Sequence, residues 1–493
     1  MLRLTSYYRQ LSRRARASVW FLVCNGLQSG VGFLSLPLFT RLMPADQFGQ
    51  VALYNSWMAI LSVFATLNVQ SGVFNNGMVT FRDDRKRYLS SMQGLVSVGS
   101  FVVLGVVVIV QLLNGAAFGL SLPMLGAMFA QILASAIFAL WAAYERYEYR
   151  YHALLWATFA FTAVTTGLSL AAVAFTEDDE SKALVRVTVG SITSLAVALV
   201  LAIQTQLASR SIVHRQYWAY AIKFNLPLIP HYLSFILLSQ IDRIMIASYL
   251  GPSEAAMYSV ASSVGQALVI LVNALAASLA PWTYERLASG AYDGMGRRFW
   301  QGTAIVAMAS CVVSGLAPGL MRVAAPPVYA PATPVLALVA VSSVFLFVYS
   351  AFANIEFFYA ATKFVSAASV GAALVKLATN YLVIPEYGIV GAGATTLACY
   401  ALFALAHTLF TRRLWAKKMP EVAIAVLQMG RTWGVAALGV IVTLILIALF
   451  ANPLTRVGAA VLFVALCCWK RQAIANALRG GNAPSPTQTE EIS

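Results

Sequence analysis

Fourteen long apolar runs constrain the fold of this 493-residue sequence more than any other feature. A helix needs about 20 apolar residues to cross the hydrocarbon core of a bilayer. Because lipid offers the backbone no hydrogen-bond partners, such runs cross as helices, and the short alternating strands of a barrel are absent. The predicted spans lie at about 17–40, 49–71, 89–113, 122–144, 153–175, 183–207, 224–249, 254–280, 299–321, 332–358, 364–384, 388–411, 432–451 and 454–469.

The composition excludes a water-soluble chain. Only 10% of the residues are charged and 60% are apolar, whereas about 25% of an average soluble domain is charged. So few charges do not cover the surface of a soluble fold of this size. Soluble enzymes, nucleic-acid binders and disordered scaffolds are therefore excluded for the whole chain. We predict an all-α polytopic membrane protein with about 14 transmembrane helices.

The positive charges orient the predicted helices. The net charge is +15. The Lys and Arg residues are distributed unevenly over alternate loops, with 25 on one side of the membrane and four on the other. Cytoplasmic loops carry the excess of Lys and Arg, so both termini are predicted to be cytoplasmic. The segment 1–16 forms a basic cytoplasmic leader, and 480–493 forms a polar, disordered cytoplasmic tail. The charge is a topology signal, and no nucleic-acid partner is predicted.

The loops and the scattered Cys and His residues do not favour an enzyme. No outside loop is longer than roughly ten residues, and no nucleotide-binding P-loop motif occurs. The five Cys and four His residues form no metal-ligand spacing. We therefore predict no catalytic residues, no metal and no cofactor.

The spans divide into two comparable sets. Six lie in 17–209 and six in 210–412, and two extra helices follow in 432–470. Twofold repeats are common in transporters, where the substrate site lies between the halves. The pattern predicts two six-helix lobes around a central cavity, with a C-terminal helix pair added.

Several short motifs resemble one family. They cover about 17–412 and are LPLFTRL at 36–42 with Phe48-Gly49, LPLIP at 226–230, QIDRIMI at 240–246, YLG at 249–251, MYSV at 257–260, APW at 280–282 and IPEYGIVGA at 384–392. In this order they look like Wzx-type polysaccharide flippases of the multidrug/oligosaccharidyl-lipid/polysaccharide exporter superfamily.

The resemblance implies a function. The substrate is an undecaprenyl-pyrophosphate-linked oligosaccharide, moved by alternating access across the bacterial plasma (inner) membrane. The product feeds exopolysaccharide, O-antigen or capsule biosynthesis. The implied partners are this lipid-linked substrate, membrane lipid and other polysaccharide assembly proteins.

Four cations are candidate substrate contacts. A diphosphate carries at least two negative charges and needs a hydrated or cationic path. We predict that Arg41, Arg243, Lys376 and Lys223 line the cavity. The alternative for Arg243 and Lys376 is an ion pair inside the second lobe. For Lys223, as for Arg186 near the outer end of span 6, the alternative is snorkelling to the interface.

Two carboxylates and three prolines complete the predicted site. Asp242 and Glu356 lie within spans, where an ionisable group is costly. They are candidates for binding a coupling proton, and a purely structural role is the alternative. Pro37, Pro227 and Pro230 interrupt helix hydrogen bonding, and they act either as hinges or as static kinks.

Two other functions compete with the flippase. A cation-coupled drug or metabolite exporter of the same superfamily favours an acidic cavity, whereas Arg243 and Lys376 outnumber Asp242 among the deep charges. A membrane polysaccharide polymerase or ligase needs a sizeable outer loop with catalytic residues, and the outside loops are short. A non-transporting scaffold gives no reason for charges inside the spans.

Overall fold

The computed structural model describes residues 13–115, 117–209, 211–452 and 458, and every regular element among them is helical. Most of the predicted leader, the last predicted span at 454–469 and the predicted tail at 480–493 lie outside the described residues.

The helices of the first half match the predicted spans to within a few residues, because the apolar runs that set them are long and end at polar turns. They are α1 (Arg13–Leu42), α2 (Ala45–Thr66), α3 (Val73–Thr80), α4 (Arg85–Asn114), α5 (Leu122–Tyr147), α6 (Tyr151–Phe159), α7 (Thr165–Ala174) and α8 (Lys182–Ser209). A π-helical turn at Ala160–Val164 joins α6 to α7.

The second half follows the predicted pattern with three irregularities, the first of which is a break at residues 266–267 within the predicted span 254–280. Its helices are α9 (Arg215–Asn225), α10 (Ile229–Leu250), α11 (Pro252–Gly265), α12 (Leu268–Ser289), α13 (Met295–Ala324), α14 (Thr333–Phe358), α15 (Thr362–Lys418) and α16 (Met429–Ala448). A 3-10 turn at Leu226–Leu228 separates α9 from α10. In α15, Gly388 has φ 60° and ψ −149° and kinks the helix, a conformation that glycine tolerates because it lacks a Cβ.

The length and hydropathy of these helices confirm an all-α polytopic membrane protein. Eleven segments within the described ranges are long and apolar enough to cross a membrane. One of them, α15, has 57 residues, which is enough for two crossings at 1.5 Å per residue. With α1 and two crossings by α15, these segments are compatible with the first thirteen of the fourteen predicted spans, and the last lies outside the described residues.

One face of α4 carries an exposed apolar stripe that is suited to lipid contact. Phe101, Val102, Ile109, Leu112 and Leu113 are exposed and recur at the spacing of a single helix face. Such a stripe is unfavourable in water, but it costs nothing against lipid chains.

The first compact unit contains the described residues up to Val260 together with Val323–Tyr329 and Leu377–Ile389. Within it, α5 packs along α8, α2 along α10, and α7 along α8. The approach between segments is closest at Gly49, where an added Cβ meets the Pro252 carbonyl oxygen at 1.8 Å. Only glycine therefore fits there.

The second compact unit contains Ala261–Arg322, Ala330–Lys376 and the described residues from Val390 onward. Its core forms where α14 packs against α12 and α16, and it includes the fully buried Phe299, Phe347 and Phe352. Among the candidate spans in the described residues, the one that contains α14 is the most enclosed, and 83% of its apolar 18-residue stretch is buried. The lobes at 17–209 and 210–412 are divided differently from these packing units and stay a prediction.

Candidate functional site

The carboxylate of Asp242 is buried and held by two neutral donors. Tyr258 donates its hydroxyl to one carboxylate oxygen over 2.6 Å, and the Asn380 amide donates to the other over 2.6 Å. All three side chains are almost fully buried. Hydrogen bonds to a charged group contribute about 1.5–3 kcal/mol each, so these two offset part of the cost of burying Asp242.

Its neighbour Arg243 is buried in the same unit. Its Nε donates to the Ser259 hydroxyl over 3.2 Å, and Nη1 donates to the Ser239 carbonyl over 2.8 Å. The guanidinium also lies over the Tyr258 ring at 5.9 Å. Tyr258 therefore contacts both charges, Asp242 through its hydroxyl and Arg243 through its ring face.

Lys376 is fully buried in the second unit. Its Nζ donates to the Thr396 hydroxyl over 2.6 Å, and Thr396 in turn donates to the Ala392 carbonyl. The sequence predicts that Lys376 lies deep in a span, and the structure buries its side chain completely. A buried Lys inside an apolar helix favours a specific role.

Glu356 pairs with a histidine. Its Oε2 lies 2.7 Å from His407 Nδ1, and Thr411 donates its hydroxyl to Oε1 over 3.0 Å. Both members of the pair are fully buried. The rings of Tyr349, Phe364 and Phe403 surround the imidazole with centroids 4.6–5.4 Å away.

One proton can move between His407 Nδ1 and Glu356 Oε2 without a change in the net charge of the pair. When Nε2 carries a proton, a further proton on Nδ1 gives imidazolium beside carboxylate, and the same proton on Oε2 gives two neutral groups. Within the part of the chain that the structure describes, His407 Nε2 has no hydrogen-bond partner. A second proton on the pair would leave an uncompensated buried charge, which is costly.

The other two predicted substrate contacts, Arg41 and Lys223, have exposed side chains. Arg41 is exposed near the end of α1 and donates to the Pro37 carbonyl over 2.8 Å. Lys223 is exposed in the last turn of α9. Exposure at helix ends is compatible both with a substrate contact and with snorkelling.

The predicted hinge prolines occupy two kinds of position. Pro37 lies inside the continuous helix α1 and removes one of its backbone hydrogen bonds. Pro227 lies in the 3-10 turn before α10, and Pro230 lies in the first turn of α10. Both of these prolines lie near the start of a helical segment, where a backbone N–H is not needed.

Four residues of these clusters are not evident from the sequence. Tyr258, Asn380, Thr396 and His407 are uncharged or single polar residues within apolar runs, distant in the chain from the charges they contact. A buried charge does require partners, so their existence is predictable even though their positions are not. No group of Asp, Glu, His and Cys able to hold a metal occurs among the described residues.

The helical architecture of this chain is shared with known membrane transporters. The chain is similar to a lipid II flippase, MurJ, in an inward closed conformation, with a TM-score of 0.65 and 11% identity over 93% of this chain and 98% of that one. It is also similar to a multidrug resistance MATE family transporter of the MOP superfamily in an inward-facing conformation, with a TM-score of 0.60 and 12% identity over 83% and 100%.

Sequence comparison defines the family. Residues 15–285, more than half of the chain, match the family described as polysaccharide biosynthesis protein, and the chain belongs to it. The resemblance to Wzx-type flippases is thereby confirmed. A 68-residue stretch is 35% identical to protein 1 of the Lsg locus of Haemophilus influenzae, and it covers 14% of this chain and 17% of that protein.

Proposed function

We propose that this protein moves an undecaprenyl-pyrophosphate-linked oligosaccharide from the cytoplasmic to the outer leaflet of the bacterial plasma membrane by alternating access. Membership of the polysaccharide biosynthesis family carries the proposal, and a fold shared with a lipid II flippase along nearly the whole chain supports it. We propose exopolysaccharide, O-antigen or capsule synthesis as the pathway and other assembly proteins as partners. The protein acts as a transporter without enzymatic activity.

The charge of the substrate gives the deep cations a role. A diphosphate crossing a low-dielectric region needs compensation by fixed positive charge. We propose that Arg243, buried in the first unit, and Lys376, buried in the second, provide such charge, together with the exposed Arg41 and Lys223 near the ends of their helices. These four residues form the proposed cationic path, with the glycan in water and the lipid tail in the membrane.

A proton on the Glu356–His407 pair provides the proposed coupling. We propose that the pair exchanges this proton when a conformational change brings water to it, since a second proton on the buried pair would add an uncompensated charge. Asp242, held by Tyr258 and Asn380, is the second proposed proton site. Movement about Pro37, Pro227 and Pro230 produces the change of access.

The coupling is tested by replacing Glu356 with Gln, which keeps the shape and the hydrogen bond with Thr411 but removes the titratable carboxyl. In the native protein we expect the transport rate to depend on pH, and in Glu356→Gln we expect that dependence to disappear. Asp242→Asn is the parallel test for the second site. Full transport with an unchanged pH profile in both variants excludes proton coupling through these carboxylates.

The function is tested by depleting the protein in its own bacterium and locating the lipid-linked repeat units. The proposal predicts that they accumulate on the cytoplasmic leaflet, inaccessible to a periplasmic glycosidase or lectin. Accumulation on the outer leaflet indicates a polymerase or ligase. Normal glycan together with sensitivity to toxic cations indicates a drug exporter, the alternative that the likeness to a multidrug transporter favours.

A further inference from the structure

A cavity of about 230 Å³ lies inside the first compact unit, apart from the predicted site residues. Residues of α1, α2, α5, α7 and α8 line it, and most of its polar atoms belong to hydroxyl and amide side chains. Its polar lining includes Tyr54, Asn55, Gln131, Thr165, Ser169 and Arg186. The volume is sufficient for several water molecules or for one small polar group.

Arg186 is the only charged residue among those that the structure places around this cavity. Its guanidinium lies 3.7 Å from the centroid of the Phe39 ring and 5.2 Å from that of Phe48. The two rings stabilise the cation through their quadrupoles but leave its charge in place. The cavity is therefore net positive.

The guanidinium keeps most of its hydrogen-bonding capacity. A guanidinium has five N–H donors, and the Arg186 side chain donates to the Met43 sulfur at 3.7 Å. In the described ranges no carboxylate pairs with Arg186, and no oxygen accepts from it. The interface position predicted from the sequence does not account for a cation held over two rings at the wall of a cavity.

Two hydroxyl groups on α7 face the same cavity. Thr165 and Ser169 are one helical turn apart and so share a face. Ser169 is only 5% exposed, and its hydroxyl has no hydrogen-bond partner among the described residues. The Thr165 hydroxyl is also buried and unpartnered in that part of the chain. An unsatisfied buried hydroxyl is costly, which favours a ligand or ordered water as its partner.

The backbone brings these groups close to α8. An added Cβ at Gly190 lies 3.1 Å from the Ser169 hydroxyl oxygen, so glycine permits the close approach. Gly190 is one turn from Arg186, on the same face of α8. Directly before Thr165, the π-helical turn at Ala160–Val164 changes the direction of the following side chains, and such turns are frequent at functional sites.

We propose that Arg186, Thr165 and Ser169 form an anion site that takes a phosphate-type oxyanion. A guanidinium supplies a planar fork for two oxygens of a phosphate, and the two hydroxyls supply donors from the opposite helix. The ring-backed cation and the absence of an acidic neighbour in the lining exclude a metal cation as the ligand. The ligand is either the diphosphate of the lipid-linked substrate, a choice that rests on the proposed function, or a free inorganic oxyanion.

The site is tested with inorganic pyrophosphate and the purified full-length protein in detergent, in gluconate buffer free of chloride. Calorimetric titration is expected to show saturable binding. Arg186→Gln is expected to weaken it at least about tenfold, because a hydrogen bond to a charged group contributes about 1.5–3 kcal/mol. Lys182→Gln is the matched control, since Lys182 lies one turn away and already pairs with Asp179.

A second pair of variants tests the geometry without changing the charge. Gly190→Ala crowds the Ser169 hydroxyl and is expected to weaken binding several-fold. Gly167→Ala is the matched control on α7, because an added Cβ there meets nothing within 4 Å. Unfolding temperatures of all variants in detergent verify that each protein is folded. Equal binding by the native protein, Arg186→Gln and Gly190→Ala, or no saturable binding, overturns the proposal.

Two further arms identify the source of the anion. Undecaprenyl diphosphate in the same detergent is expected to compete with inorganic pyrophosphate and to lose affinity in Arg186→Gln. If only inorganic pyrophosphate responds to that substitution, the site takes a free anion. If chloride displaces pyrophosphate at equal concentration, the oxyanion assignment is wrong. None of these binding measurements depends on leaflet location, so they separate this proposal from the proposed function.

Discussion

Two charged residues, one in each compact unit, are accommodated in opposite ways. In the second unit, Glu356 has its charge met within the protein, by His407 and Thr411 at 2.7 and 3.0 Å. In the first unit, Arg186 lies against two aromatic rings and a cavity, with no carboxylate partner in the described residues. Both arrangements limit the cost of a charge inside a membrane protein. Only the Glu356 cluster has its charge compensated without a ligand.

This difference separates stability from binding. A charge that the protein itself compensates is part of the folded structure, and removing one partner leaves the other buried and unsatisfied. A charge that is stabilised by ring faces and open to a cavity contributes little to folding, but it remains available to an anion. Substitutions at Glu356 are therefore expected to affect stability first, whereas substitutions at Arg186 affect ligand binding and transport first.

The largest expected effect is on the stability of the Glu356 cluster. Glu356→Ala removes the buried partner of His407, leaves Thr411 only the Phe352 carbonyl as acceptor and opens a cavity, so we expect a loss of about 3–5 kcal/mol in the free energy of unfolding. Thermal unfolding in detergent measures it. Arg186→Ala is the contrasting variant, and we expect it to change the unfolding temperature much less. Equal destabilisation by the two variants contradicts the comparison.

The second effect is on transport through the first unit. Arg186→Gln removes the only charge in the lining of the cavity and is expected to lower the rate of glycan export at least about tenfold. Complementation of a deletion strain, with protein levels verified in the membrane, measures it. Lys182→Gln is expected to support normal export. A variant pair with equal export excludes a role for the Arg186 charge in transport.

A third, smaller effect is the coupling within each unit. In a double-mutant cycle, Glu356→Gln and His407→Gln are expected to show a coupling free energy of about 1 kcal/mol or more, because the two groups share a hydrogen bond. The cycle of Arg186→Gln and Lys182→Gln is expected to be additive within about 0.5 kcal/mol. Additivity in the first cycle indicates that the 2.7 Å pair does not contribute to stability.

The smallest effect distinguishes charge from shape at Arg186. Arg186→Lys keeps the cation but loses the planar fork, so we expect pyrophosphate affinity to fall roughly threefold to tenfold, less than in Arg186→Gln. The same titration measures both. Binding by Arg186→Lys that equals the native protein shows that only the charge matters, and binding as weak as that of Arg186→Gln shows that only the fork matters.

Much of the fold is predictable from the sequence, because lipid imposes long apolar helices. The bounds of α5, α8 and α14 agree with the predicted spans to within a few residues. In α15 the two predicted spans, 364–384 and 388–411, meet at Gly388, where the backbone leaves the helical conformation. The predicted boundary therefore lies at the observed kink, because Pro385 and Gly388 interrupt the helix there.

The site is less predictable, because the position of a residue along its span does not specify which neighbouring helices its side chain contacts. The sequence places Asp242, Arg243, Glu356 and Lys376 inside spans, and the structure buries all four. The sequence gives no sign that Glu356 contacts His407, which lies 51 residues away along the chain. The sequence also predicts a peripheral position for Arg186. It does not reveal the surroundings of this residue, because the two phenylalanine rings and most of the cavity lining come from other helices.

Transbilayer movement of a lipid-linked oligosaccharide by the purified protein in liposomes is the most direct test of the proposed function. A membrane-impermeant glycosidase added outside follows the fraction of undecaprenyl-diphosphate oligosaccharide that becomes accessible. We predict that the native protein raises the rate of exposure and that Arg186→Gln raises it much less, whereas the same glycan on a neutral lipid stays inside. Exposure at the rate of protein-free liposomes, or equal movement of the neutral lipid, would contradict a cation-guided flippase.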